Sequence, residues 1–72
     1  MKRITLSDFI EFCKNKNIYY EVYGTVKLKY KVYNKWWWHC FIYHKETDIN
    51  ELSKYENIKM IKGQYGTRIY IR

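Results

Sequence analysis

Apolar positions along the chain recur at two different spacings, and these divide it into two kinds of element. Leu6, Phe9, Ile10 and Cys13 fall three or four residues apart, which places them on one face of a helix. Thr5 and Asp8 have the spacing of a capping box, and Ile4 and Phe9 bracket it at the staple positions, so the helix starts after Thr5. Asn15, Lys16 and Asn17 close it.

Beyond that point the period becomes two. Ile18, Tyr20 and Val22 alternate with Tyr19, Glu21 and Tyr23, and Gly24 reads as a turn into a strand in which Val26, Leu28, Tyr30 and Val32 alternate with Lys27, Lys29 and Lys31. A three-residue loop ending at a left-handed Gly24 sets Ile18 and Tyr20 on the same side as Val26 and Leu28, with the lysines on the other. A two-residue Gly24-Thr25 turn mixes these faces. Asn34-Lys35 then predicts a second turn, followed by a strand from Trp36 to Tyr43. With a three-residue loop Trp38, Cys40 and Ile42 face inward and Trp37, His39, Phe41 and Tyr43 face outward; a two-residue loop exchanges the sets.

Asp48 and Glu51 form a second capping pair, with Ile49, Leu52 and Tyr55 as the apolar face of a short helix. Ile58 and Met60 begin another strand. Residues 63–66 turn it, and Ile69 and Ile71 return alternating with Arg68, Tyr70 and Arg72; a four-residue loop sets Met60 beside Ile69 and Ile58 beside Ile71. The expected architecture is a single small α+β domain spanning residues 1–72, in the order αβββαββ. Its five-stranded, mostly antiparallel sheet carries both helices on one face and leaves the other open. A weak echo, Asp8, Glu11, Lys14, Asn17 and Ile18 against Asp48, Glu51, Lys54, Asn57 and Ile58, has the form of a duplicated helix–hairpin unit.

Composition fills in the open face. Aromatics make up 21% of the residues, tyrosine alone contributes nine, and there is no proline, which favours a packed, strand-rich chain over disorder. So many tyrosines in 72 residues cannot all be buried. The net charge of +7 attracts polyanions and acidic partners. Most of the seven acids fall in or beside the two helices, so the polar positions of the strands are almost wholly basic. No apolar run approaches the length of a membrane span, and no signal-peptide core follows Met1-Lys2-Arg3. The expectation is a cytoplasmic protein with no membrane contact, with Cys13 and Cys40 as reduced thiols filling the core.

The outward parity collects Lys27, Lys29, Lys31, Tyr33, Trp37, His39, Phe41, Tyr43, Lys59, Arg68, Tyr70 and Arg72 as candidate binding residues. Cations interleaved with rings are what a single nucleic-acid strand requires, because phosphates need positive charge and splayed bases need flat surfaces. Tyrosine, tryptophan and arginine are equally the anchors of protein contacts, and lysine stems lying across rings also make an ordinary solvated face.

Catalytic chemistry is sparse. His39 beside cations and Tyr43 is a candidate base for metal-independent phosphodiester cleavage, but there is no second histidine of matching geometry, no carboxylate pair, no phosphate loop and no Ser-His-Asp set. Cys13, His39, Cys40 and His44 lack the close pairs of a structural zinc site, so neither metal nor other cofactor is expected. The reading is a non-enzymatic module that binds single-stranded or structured nucleic acid. The alternative is an inhibitor carried by a phage or mobile element that blocks a host nucleic-acid-handling complex, as anti-CRISPR proteins do, an analogy of size and composition. A third reading is homodimerisation through the aromatic face.

Overall fold

A computed structural model of the chain describes residues 2–30, 33–43 and 46–72, without the side chains of residues 28–30, 33–35 and 46. The order is α1 (Leu6–Asn15), β1 (Tyr19–Tyr30), β2 (Tyr33–Tyr43), α2 (Glu46–Leu52), β3 (Ile58–Lys62) and β4 (Thr67–Ile71). All strand pairs are antiparallel, in the spatial order β1-β2-β4-β3. Two successive αββ units thus place their second strands side by side at the centre.

The sheet has four strands rather than the five expected from the sequence, and the difference lies at Gly24. Gly24 is no turn: β1 runs through it as one strand of 12 residues, and its positive φ of 104° serves a bulge. Val22 pairs with Cys40 and Gly24 with His39, so Tyr23 is the extra residue. A left-handed glycine suits a hairpin turn or a bulge equally well. Here the continuous strand gains a long ladder along β2, whereas a turn at Gly24 would split β1 into two short strands. Asn34 and Lys35, expected as a turn, sit inside β2 opposite Lys29 and Leu28. The order is therefore αββαββ.

The bulge also reverses the expected faces of the far half of β1. Val26 pairs with Trp37 and Lys27 with Trp36, and cross-strand partners share a face. Lys27 consequently lies on the side of Trp36, Trp38 and Cys40, and Val26 on the side of Trp37. On β2 itself the division agrees with the alternation, with Cys40 and Ile42 fully buried under the helices.

α1 forms where its caps require it. Thr5 Oγ1 accepts from the Asp8 amide at 3.0 Å and Asp8 Oδ2 accepts from the Thr5 amide at 3.3 Å, which satisfies two otherwise orphaned donors. At the other end Asn17 takes a φ of 56°, and the Asn17 and Ile18 amides donate to the Lys14 and Cys13 carbonyls, a Schellman closure. Phe9 and Cys13 from α1 and Ile49 and Leu52 from α2 pack on Cys40, Ile42, Ile69 and Ile71 of the sheet in one cluster. α2 begins before Asp48, so Asp48 lies inside the first turn rather than at the cap, and Tyr55 lies beyond the helix.

Asn57 closes the domain. Its side chain, 1% exposed, accepts from the Ile4 amide at 2.8 Å and donates to the Ile4 carbonyl at 2.6 Å and the Arg72 carbonyl at 3.1 Å. It satisfies both backbone groups of Ile4 in place of a neighbouring strand. The segment before α1 is thereby tied to the end of β4, with Glu56 donating to the Lys2 carbonyl beside it.

Candidate nucleic-acid interface

The face of the sheet turned away from the helices is a grid of side chains set by register. Tyr19 stands opposite Tyr43. Glu21, Phe41, Arg68 and Ile61 form the next row across β1, β2, β4 and β3. Gly24, His39, Tyr70 and Lys59 form the third, with the bulged Tyr23 beside it, and Val26 and Trp37 begin the fourth, where Arg72 lies 5.5 Å from the Trp37 ring. Successive rows along β2 are about 6.8 Å apart, two residues of strand rise.

The rings in this grid touch. His39 stacks on Tyr70 with centroids 4.9 Å apart and planes 10° from parallel, and Tyr23 covers its other side at 5.2 Å. Phe41 meets Tyr43 edge to face at 5.0 Å, and Tyr43 meets Tyr19 at 5.3 Å. Such contacts hold aromatic surface in fixed orientations. Tyr70 is buried by its neighbours although it belongs to the open face, while Tyr19, Tyr23 and Tyr43 remain exposed.

Eight of the twelve sequence-predicted residues are brought together here: Trp37, His39, Phe41, Tyr43, Lys59, Arg68, Tyr70 and Arg72. Lys27 is carried to the opposite face by the bulge. The side chains of Lys29 and Tyr33 are outside the described set, and Lys31 and His44 are outside the described residues. Sequence reasoning left out Glu21 and Tyr23: alternation sets them on the outward face, but their place beside Phe41 and His39 becomes visible only once β1 is continuous past Gly24 and pairs directly with β2.

Those two residues help to line a depression on this face. Glu21, Tyr23, His39, Phe41, Tyr43 and Arg68 line an open groove of about 480 Å³. Glu21 and Arg68 flank Phe41 from the adjacent strands, so the carboxylate and the guanidinium project from backbones roughly 10 Å apart, two strand spacings. The Tyr23 hydroxyl is pushed above the ordinary phenol range, first by desolvation and then by the neighbouring Glu21 carboxylate. It is therefore a donor and not a base. His39 Nε2 and Trp37 Nε1 are buried and make no hydrogen bond within the described residues.

Phe41 is held from below by the β3–β4 turn. A methyl group at Gly66 would lie 2.5 Å from the Ile42 carbonyl oxygen and 2.5 Å from Phe41 Cζ, so only glycine admits the ring where it sits. A second depression, lined by Phe41, Ile61, Lys62, Gly63, Gln64, Tyr65, Gly66 and Arg68, follows that turn.

The remaining candidate chemistry is dispersed. Cys13 and Cys40 are free and fully buried; burial pushes the Cys13 thiol up to about 12 and the Cys40 thiol to about 11, away from the thiolate that reacts or binds metal. His39 projects from the face opposite Cys40. Among the described residues no three His, Cys, Asp or Glu side chains approach closely enough to share a metal ion, and no helix is long and apolar enough to cross a membrane.

Beyond the bulge, β1 and β2 continue as a two-stranded arm, since pairing with β4 stops at Trp38. Trp36, 63% exposed, Trp38 and Lys27 project from the arm on the helix side. Compared with known protein families, with curated proteins and with solved structures, the chain matches none.

Proposed function

We propose that the protein binds single-stranded or structured nucleic acid on the open face of its sheet, as a module without catalysis of its own. The observation that carries this reading is the row Trp37, His39, Phe41 and Tyr43 along β2, bordered by Arg68, Arg72 and Lys59 on the neighbouring strands. Rings about 6.8 Å apart match the reach of successive unstacked nucleotides, and stacking on an open ring such as Phe41 contributes about 1–3 kcal/mol per base, while His39, held between Tyr70 and Tyr23, fixes the position of its neighbours. Cations lie to one side of the rings, where a phosphate backbone would run. The net charge of +7 adds long-range attraction.

Labelled octanucleotides titrated across a salt series test the reading. Affinity should fall with salt at a slope of roughly 0.7 per neutralised phosphate. Phe41→Ala should weaken binding by about 1–3 kcal/mol, and Arg68→Ala should reduce both the affinity and the slope. Millimolar affinity at physiological salt, indifferent to both substitutions, overturns it.

A protein-directed reading draws on a different observation, the exposure of Trp36 and Trp38 on the arm. Exposed tryptophan beside lysine suits an acidic protein surface, as an inhibitor of a nucleic-acid-handling complex would require. Capture of one such complex that is lost with Trp36→Ala but kept with Phe41→Ala would favour it. Either function suits the cytoplasm, where two buried thiols stay reduced.

A further inference from the structure

We infer that the groove over Phe41 is a base-reading subsite that selects guanine within a single strand; the inference rests on the nucleic-acid reading above and names what that face would recognise. Glu21 is the only acidic residue in any of the four strands. A carboxylate repels phosphate, so on a phosphate-binding face it acts against affinity unless it meets a hydrogen-bond donor.

The groove supplies the setting for such a donor. Phe41 is the floor on which a base stacks, Tyr43 stands edge-on beside it, and Arg68 occupies the far flank. A nucleotide lying across Phe41 with its phosphate at Arg68 presents its base edge to Glu21. Tyr23 lines the same groove beside Glu21, and a carboxylate has lone pairs enough to accept from a ligand as well as from a neighbouring hydroxyl.

The donor pattern of the bases then decides among them. Guanine carries N1–H and the N2 amino group side by side, two donors that match the two oxygens of a carboxylate. Adenine and cytosine present one amino group next to an unprotonated ring nitrogen, which would face the carboxylate lone pair against lone pair. Uracil and thymine hold a single N3–H between two carbonyl oxygens, both repelled. Only guanine offers paired donors, and a good bidentate contact discriminates by about tenfold or more.

Fluorescence anisotropy of labelled oligouridine octamers with one central guanine, inosine, adenine, cytosine or uracil tests this. Guanine should bind about tenfold tighter than the other standard bases, with inosine, which keeps N1–H and lacks the amino group, between them. Glu21→Gln should bring the guanine and uracil octamers within about twofold of each other while all-uridine binding is kept or strengthened, because the repulsion is gone. Tyr23→Phe should retain the preference. Equal binding of all octamers by the unaltered protein, or a guanine preference that survives Glu21→Gln, overturns the subsite and leaves the nucleic-acid reading standing; failure to bind any octamer overturns both.

Discussion

Strand β2 runs through two regions that share one strand and one alternation yet differ in what they hide. Ile42, Cys40, Trp38 and Trp36 all project from the helix side. The first two are 0% exposed, Trp38 is 39% exposed and Trp36 63%. The near half is backed by α1 and α2 and flanked by β4; Trp38 is the last position that β4 flanks, and Trp36 beyond it has β1 alone. Alternation assigns a side chain to a face, but burial depends on whether another layer covers that face. The tryptophan run therefore ends up partly on the surface.

Substitutions that load one region and spare the other should sharpen this contrast. The largest effect is expected at Asn57, which holds the helix-backed region closed. Asn57→Ala leaves the Ile4 amide and carbonyl without their partner, and should lower stability by about 3–5 kcal/mol, against a total of about 4–10 kcal/mol for a chain of this size. Urea unfolding measures it. A loss below about 1 kcal/mol would mean that water replaces the clamp and that the region closes by packing alone.

Alkaline pH loads the same region through its thiols. Folded Cys13 and Cys40 stay neutral up to about 12 and about 11, while the unfolded thiols ionise from near 9. Their contribution is fully present below pH 9 and is lost as pH rises towards those values, by up to about 1.4 kcal/mol per pH unit for each thiol. Unfolding midpoints at pH 8 and pH 10.5 should fall further in this protein than in a Cys13→Ala, Cys40→Ala variant. Equal declines would show that other groups carry the alkaline loss.

Gly24 marks the border between the regions. Its φ of 104° suits no other residue, yet a methyl there meets nothing within 4 Å, so Gly24→Ala adds backbone strain alone, about 1–2 kcal/mol. Hydrogen exchange should rise in the arm while the amides facing Cys40 and Ile42 keep their protection. The smallest effect belongs to Trp36→Ala, within about 0.5 kcal/mol by thermal unfolding. A large destabilisation there would mean that the arm has a covering partner, such as a second copy of the chain.

What the amino-acid pattern made legible follows the range of the forces involved. The capping box of Thr5 and Asp8, the alternation along β2, and the pairing of Met60 with Ile69 and of Ile58 with Ile71 are set by neighbours a few residues away or by one short turn, whereas which β2 set faces inward hung on a turn at Asn34-Lys35 that lies inside the strand. Gly24 escaped because its left-handed backbone is needed in a turn and in a bulge alike, and only the competing ladder along β2 decides. That one choice moved Lys27 to the other face and brought Glu21 and Tyr23 into the groove. Asn57 looked like any surface asparagine, since its partners lie 53 residues earlier and at the end of β4.

The bulge has a consequence for how the protein behaves in a crowd. β1 is an edge strand of 12 residues, long enough to recruit an extended segment of another chain and begin a growing ribbon. Tyr23 interrupts its free row of amides and carbonyls, so a straight incoming strand that is in step with one half falls out of step with the other. Lys27 puts further charge along that edge. A sheet with so many rings and no proline is thus given a stop, a misfit in the edge that acts beside the net charge of +7 against strand-to-strand growth.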